Sequence, residues 1–189
     1  MSEYLRRAGT ARLSDGATLT WTVAEGGRGR RWRATATAGG VLTHALLLEV
    51  DLDGRPARLE LTTASGILTL HPEPDGSALH GNLVTATGVT HLAYEWSHDH
   101  GLSVDGRAIA DAVTARRIAD SVRVGERRSV PVVAIAPDLS IREEVVQFEP
   151  VRYGIWRVSD GAGDRMLRID DRGIPGGLAD TAEWELEQD

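Results

Sequence analysis

The stretch THALLLEVDLDGRPARLELTT, residues 43–63, decides the fold class. In its first half the even-numbered residues from 44 to 52 are His, Leu, Leu, Val and Leu, and in its second half Leu59 and Leu61 alternate with polar residues. Asp53-Gly54, a dipeptide typical of two-residue hairpin turns, separates the two halves. The stretch therefore predicts two half-buried antiparallel strands, over 43–53 and 57–63, joined by a tight turn.

The same period-two alternation recurs along most of the chain, for example in TLTWTVA (18–24), RRWRATAT (30–37) and YGIWRVS (153–159). One Ala-rich segment, DGRAIADAVTARRIADS (105–121), instead has apolar residues at helical spacing, with Asp105 as a candidate cap. We therefore predict an all-β, mainly antiparallel fold: a curved β-roll, half-barrel or barrel of about ten or more strands with one internal helix near residues 105–120. Since no long linker interrupts the pattern, we expect a single β-rich domain over 1–189, with residues 1–16 as an N-terminal extension or edge strand.

Composition excludes several classes of chemistry. The 189 residues carry a net charge of −7, so no diffuse positive field is present to attract nucleic acid. The chain has no Cys and no Lys, which excludes thiol and Schiff-base catalysis and makes every cationic contact a guanidinium. The longest apolar runs are too short to span a bilayer, and no secretory signal is apparent. We expect a cytoplasmic protein with no integral membrane segment and no cofactor; the oligomeric state stays open.

The stretch EWSHDHGL, residues 95–102, holds the densest group of chemically versatile side chains. Glu95, His98 and Asp99 are candidates for acid–base catalysis, and His98 with His100 forms an H-x-H pair that suits a metal ion. Against both interpretations, position 98 continues the register of the preceding apolar residues of the strand. We therefore favour a strand whose apolar face becomes polar at its rim, and keep catalysis and metal binding as alternatives.

Tryptophans and arginines supply the candidate ligand contacts. Four of the five tryptophans occupy the apolar register of predicted strands, which is typical either of core packing or of an aromatic-lined pocket. Arg116 and Arg117 end the predicted helix, where they complement its dipole or hold an anionic headgroup. The candidate ligand-binding residues are Trp21, Trp32, Tyr94, Trp96, His98, Arg116, Arg117 and Trp156.

The second half of the chain resembles a known family. The segments AVTARRIA, VGE, VAIAPDLSI, VVQFEPV and YGIWRV follow one another in an order similar to that of a bacterial family of uncharacterised proteins named for glycolipid binding. The resemblance covers roughly residues 40–187, mainly after 95, and places six residues where that family's pattern expects them: Arg116, Arg117, Pro137, Leu139, Gln147 and Phe148. The Ala-rich AIADAVTA departs from the Thr-, Asn- and Pro-rich segment usual before the arginine pair. The resemblance implies a curved antiparallel sheet around an apolar groove and a lipid-like ligand.

These observations lead to one function hypothesis and two alternatives. The leading hypothesis is non-catalytic binding of an amphipathic or glycolipid-like small molecule in an apolar groove or barrel interior. Indole rings would hold its apolar part, and Tyr94, His98 and the arginine pair its polar end. The first alternative is a small β-barrel enzyme, a cyclase, isomerase or hydrolase, that uses residues 95–100. The second is an interaction module without a pocket.

Overall fold

The computed structural model describes residues 6–13, 16–104, 108–178 and 184–187. The chain divides into two compact units. The first consists of Met1–His98, Pro137–Ser140 and Glu185–Asp189, and the second of Asp99–Ala136 and Ile141–Trp184. The expected single domain over 1–189 stays a prediction.

The elements of the described residues confirm the predicted fold class, which is mainly antiparallel β with one internal helix. In chain order they are β1 (Arg6–Arg12), β2 (Thr18–Gly26), β3 (Gly29–Ala38), β4 (Val41–Val50), β5 (Pro56–Thr63), β6 (Gly66–Pro72), β7 (Ala78–Thr85), β8 (Gly88–Glu95), β9 (Gly101–Val104), α1 (Ala108–Ile118), a 3₁₀ turn (Ala119–Ser121), β10 (Arg128–Ile135), β11 (Ile141–Arg152), β12 (Ile155–Asp160), β13 (Gly163–Ile169), β14 (Pro175–Leu178) and β15 (Trp184–Glu187).

The sheet of the first unit has nine strands in the order β15-β1-β2-β3-β4-β5-β6-β7-β8. From β1 to β8 each strand pairs antiparallel with the next one along the chain. β1 places part of the predicted N-terminal extension, residues 6–12, inside this sheet, whereas residues 1–5 lie outside the described part of the chain.

The hairpin over residues 43–63 forms in the predicted register, but its turn is longer. Leu46 pairs with Leu61, as the alternation requires. β4, however, ends at Val50, so Leu52 belongs to the turn and is 74% exposed. The cause is Asp51, whose Oδ1 accepts the backbone N–H groups of residues 53 and 55 at 2.9 and 2.8 Å. An Asp side chain that bonds its own backbone two residues on starts a turn early, which the period-two pattern does not show.

Two tryptophans lie at the centre of the first unit's core. The rings of Trp21 on β2 and Trp32 on β3 are fully buried, with centroids 5.8 Å apart and a tilt of 42°. The guanidinium of Arg30 lies 5.9 Å from the Trp32 ring centroid, within cation–π range. Leucines from β2, β4, β5, β6 and β7 complete this core: Leu19, Leu46, Leu48, Leu59, Leu61, Leu68, Leu70 and Leu79. Burying these side chains is the main term that stabilises the sheet.

The second unit contains a six-stranded sheet in the order β14-β13-β12-β11-β10-β9. β9 and β10 are parallel, with Val104 opposite Ile135, whereas the other pairs are antiparallel. α1 lies between these two strands in the sequence and makes the crossover that a parallel pair requires. The helix predicted near residues 105–120 is thereby confirmed as Ala108–Ile118; the candidate cap Asp105 lies outside the described residues.

Every residue of α1 from Ala108 to Ala115 is buried. Small side chains make this possible, because alanine allows a helix to approach its neighbours closely on several sides. The helix packs into a core to which β10, β11, β12 and β13 contribute, including Phe148 and Trp156. No helix in the described ranges combines the length and apolar character needed to cross a membrane.

Gly81 lies where β7 approaches β6 closely, so a substitution there tests the packing of the two strands. A Cβ at this position would lie 2.0 Å from the backbone carbonyl oxygen of Thr69, so the two strands would have to separate. We expect Gly81→Ala to lower the free energy of unfolding by about 1–3 kcal/mol. Gly27→Ala is the matched control, since nothing lies within 4 Å of a Cβ there, and it should change stability by less than about 0.5 kcal/mol. Urea denaturation followed by tryptophan fluorescence measures both; equal effects would contradict this packing.

Candidate functional site

The acidic and histidine residues of EWSHDHGL are divided between the two units. Glu95 is exposed at the end of β8. His98 is also exposed and lies over the β6–β7 turn, where a Cβ on Gly76 would be 2.4 Å from its Cε1. In that turn the Ser77 hydroxyl and N–H lower the pKa of Asp75, and the charge of His98 adds a smaller effect. His98 thus contacts a turn of the first unit.

Asp99 and His100 begin the second unit. The backbone carbonyl of Asp99 accepts a hydrogen bond of 2.9 Å from the Arg117 guanidinium, so one predicted headgroup arginine contacts the chain itself. Arg116 lies against Gly173, where a Cβ would be 2.5 Å from its Cδ. Among the described residues, no three His, Asp or Glu side chains are close enough together to hold a metal ion.

The predicted tryptophan contacts belong to two separate cores. Trp21 and Trp32 pack against each other in the first unit, Trp96 is buried at the end of β8, and Trp156 is part of the second unit's core. Tyr94 is half-buried on β8. Neither of the two pockets described below is lined by a tryptophan, by Tyr94, by His98 or by the arginine pair. Their role in ligand binding stays a prediction.

The second unit holds a pocket of about 260 Å³ that the sequence did not indicate. It lies at the carboxyl ends of the parallel strands β9 and β10, beside the first turn of α1. Its apolar lining residues are Val104, Ala108, Ala134 and Ile135. Its charged lining residues come from α1, β11, β12 and β13: Asp111, Arg142, Glu144, Asp160, Asp164 and Arg165. In open α/β sheets, too, ligands bind outside the carboxyl ends of parallel strands.

Arg165 forms ion pairs with two of the charged lining residues, Asp111 and Asp160. Asp111, only 4% exposed, accepts hydrogen bonds at its Oδ2 from Nε and Nη2 of Arg165, at 3.0 and 2.8 Å. Nη1 of the same guanidinium donates to Oδ2 of Asp160. Within the described residues Asp111 makes no other hydrogen bond, so its Oδ1 has no partner there, and Asp111 lines the pocket. Nearby, Nε of Arg142 donates to Glu144 at 3.1 Å.

The two carboxyl groups that share Arg165 have pKa values displaced in opposite directions. Burial raises the pKa of Asp111 to about 6, because loss of hydration outweighs the attraction of Arg165, and Asp160 and Glu144 add to the rise. Partial burial acts in the same direction on Asp160, but its bonds from Arg165 and from the Ala162 N–H prevail and lower its pKa. The lowered pKa keeps Asp160 ionised at neutral pH, whereas Asp111 reaches its protonation midpoint near pH 6.

Asp111, Asp160 and Arg165 are absent from the predicted site residues. Asp111 and Arg165 are 54 positions apart, so no local spacing links them. One signal was available: Asp111 is the sole charged residue of the helix before its terminal arginines, in a segment otherwise rich in alanine. A lone acid inside an apolar helix is costly to bury without a partner, which marks it as a candidate for a specific role.

The raised pKa of Asp111 predicts how stability depends on pH. Because the folded chain binds this proton more tightly than the unfolded chain, its contribution is complete below about pH 4 and is lost as the pH rises through about 6. Between pH 4 and 7, Asp111→Asn should therefore gain stability relative to the natural chain, by at most about 3 kcal/mol. Urea denaturation at several pH values measures this difference.

A second variant, Asp138→Asn, should show a change of stability with pH in the opposite direction. The Ser140 hydroxyl and N–H lower the pKa of the exposed Asp138 from its usual 3.8, so Asp138→Asn should lose stability relative to the natural chain as the pH rises to about 4, and the difference should stay constant above that. A difference between Asp111→Asn and the natural chain that stays constant between pH 4 and 7 would show that folding does not raise the pKa of Asp111.

Comparison with solved structures shows a protein with a similar fold. A crystal structure of a DUF1089 family protein from Pseudomonas aeruginosa is similar to this chain, with a TM-score of 0.55, 15% sequence identity, and coverage of 95% of this chain and 91% of that one. At this identity the likeness shows the fold alone. No family model matches the sequence, and no curated protein matches it. Membership of the glycolipid-binding family stays a prediction. The similarity to the DUF1089 protein is a distant one in fold.

Proposed function

We propose that the second unit binds the polar head of a small amphipathic molecule, such as a glycolipid, in the pocket beside Asp111 and Arg165. The observation that carries the proposal is a nearly fully buried carboxylate whose Oδ1 has no partner among the described residues and which lines a pocket. Burying a charge costs several kcal/mol before its partner compensates, and an apolar replacement is often as stable. A function in the pocket accounts for keeping the charge.

The charged and apolar residues that line this pocket favour a sugar-like ligand group. Hydroxyl groups both donate and accept hydrogen bonds, and this pocket presents carboxylate acceptors beside guanidinium donors at fixed positions. The apolar lining residues, which include Val104 and Ile135, suit the apolar faces of a ring or the start of an alkyl chain. Ligand sites are commonly lined in this way, with an apolar surface and a few oriented polar groups.

Size restricts the proposal to the headgroup. The volume of about 260 Å³ is below the range of about 300–1,000 Å³ typical of sites that enclose drug-sized ligands. A single small ring suits this space, and a long acyl chain would have to lie outside it. The ligand is still the amphipathic molecule expected from the sequence. Its polar end, however, would contact Asp111 and Arg165 and not the residues predicted from the sequence.

Titration with n-octyl β-D-glucoside and with free glucose, followed by NMR of the full chain, tests this site. We expect shifts at Asp111, Ser103 and Ala162, and about 10–150-fold weaker binding in Asp111→Asn, because a charged hydrogen bond contributes about 1.5–3 kcal/mol. Asp120→Asn, an exposed carboxylate of the 3₁₀ turn, is the control and should bind as the natural chain does. Equal affinity in the two variants, or no shift near Asp111, would count against the site.

A second candidate function is acid–base catalysis in the same pocket, which the opposite pKa displacements of Asp111 and Asp160 favour. Two carboxyl groups with environments that separate their pKa values are typical of an acid–base pair. In hydrolysis of a glycosidic bond, protonated Asp111 would donate its proton to the leaving oxygen as the carbon–oxygen bond breaks. Water would add to the carbon and lose a proton to the Asp160 carboxylate, and transfer of a proton back to Asp111 through solvent would restore both groups.

Hydrolysis of 4-nitrophenyl glycosides distinguishes catalysis from binding. If Asp111 is the acid, kcat/KM should fall as the pH rises above about 6, and Asp111→Asn should lower kcat by about 10²–10⁴. Binding of octyl glucoside without turnover, across the panel and between pH 5 and 8, would leave the binding function and remove the catalytic one.

A further inference from the structure

A second pocket, of about 430 Å³, opens on the outer face of β1, β2 and β3 in the first unit. Four of its lining residues are arginines: Arg6, Arg7, Arg31 and Arg33. It belongs to neither the buried tryptophan core nor the pocket of the second unit, and no acidic residue lines it, although the chain as a whole carries a charge of −7.

The strand register explains why this surface is a groove. Across the three strands Arg6 is opposite Ala24, which is opposite Arg31. In the next row of the same face, Thr22 separates Ala8 from Arg33. Small residues therefore form the floor, and long arginines rise on either side of it. Since adjacent strands are about 4.8 Å apart, arginines on β1 and β3 face each other over about 10 Å, a gap that two extended side chains can close around one small ligand.

Ion pairing sets these arginines apart from others in the same sheet. Arg30, Arg55 and Arg58 each pair with a neighbouring carboxylate. Arg31 pairs with Glu49 at 2.5 Å. Arg6 and Arg33 make no ion pair with any residue that the structure describes. The groove thus presents two guanidinium groups with no ion pair among the described residues, beside Arg31, which has one carboxylate partner. The fourth arginine, Arg7, is opposite Val23 and belongs by strand alternation to the other face of the sheet.

We propose that this groove binds a phosphate group, carried either by a free small phosphate or by a lipid headgroup. Planar guanidinium groups donate paired hydrogen bonds that match the oxygens of phosphate, and the hydroxyl of Thr22 on the floor adds another donor. At pH 7 a phosphate monoester carries a charge of about −1.5 to −2, which balances the two arginines that lack ion pairs. A carboxylate would neutralise only one of them. This site is independent of the function proposed for the second unit.

The test uses the full chain at low ionic strength, where screening is weak. Inorganic phosphate is titrated and followed by NMR of Thr22 and Ala24, and flotation is measured with phosphatidylcholine vesicles with and without phosphatidic acid. Arg33→Gln should weaken binding about tenfold and the double variant Arg6→Gln/Arg33→Gln should abolish it. Arg58→Gln is the matched control: Arg58 is exposed on a strand of the same sheet, as Arg33 is, and it pairs with Glu60 outside the groove.

Each outcome decides the proposal. Saturable shifts with inorganic phosphate support a small phosphate ligand, whereas binding only to vesicles that contain phosphatidic acid supports a lipid headgroup. No binding in either arm overturns the site, as does an equal loss in Arg33→Gln and Arg58→Gln. Far-UV circular dichroism of each variant shows whether the fold is retained; the single variant Arg33→Gln changes an exposed side chain and is the decisive one if the double variant unfolds.

Discussion

A helix that is buried on nearly every side sets the architecture of the second unit. α1 can occupy this position because four of its nine buried residues are alanines, so the surrounding strands can approach its backbone closely. As the crossover between β9 and β10 it makes that strand pair parallel. The same placement brings Asp111, in the first turn of the helix, to the carboxyl ends of both strands. The pocket and its ion pairs follow from this one packing arrangement.

Strands could be predicted from the sequence because burial on one face of a sheet imposes a local period of two. Trp21, Trp32 and Leu48 all lie on the expected buried register, and the Ala-rich helix is where its composition indicates. The predicted length of the turn after β4 was wrong because the side chain of Asp51 bonds its own backbone and competes with the strand, and this competition leaves no mark on the alternation.

The candidate site was much less predictable, for two physical reasons. A tryptophan on an apolar register has the same sequence pattern whether its ring meets another side chain or a ligand; here Trp21 meets Trp32. The Asp111–Arg165 pair depends on contacts between residues far apart in the chain, which no periodicity encodes. By contrast, the arginine groove arises from neighbouring strands, so its members Arg31 and Arg33 could be seen in RRWRATAT once the register of β1 was known.

The connectivity of the two sheets has a consequence for how the chain acquires its structure. Strands β2 to β8 are joined by loops of two to five residues, so each pairing closes a short loop and can form as soon as the next strand leaves the ribosome. β9 must wait for β10, which begins at Arg128 after the whole helical crossover has been made. Pairings between distant segments form slowly and expose unpaired edges in the meantime. Because β1 pairs with β15 as well as with β2, the outer edge of β1 waits longer still, and the edges of β1 and β9 are thus the ones that stay unpaired longest in the nascent chain.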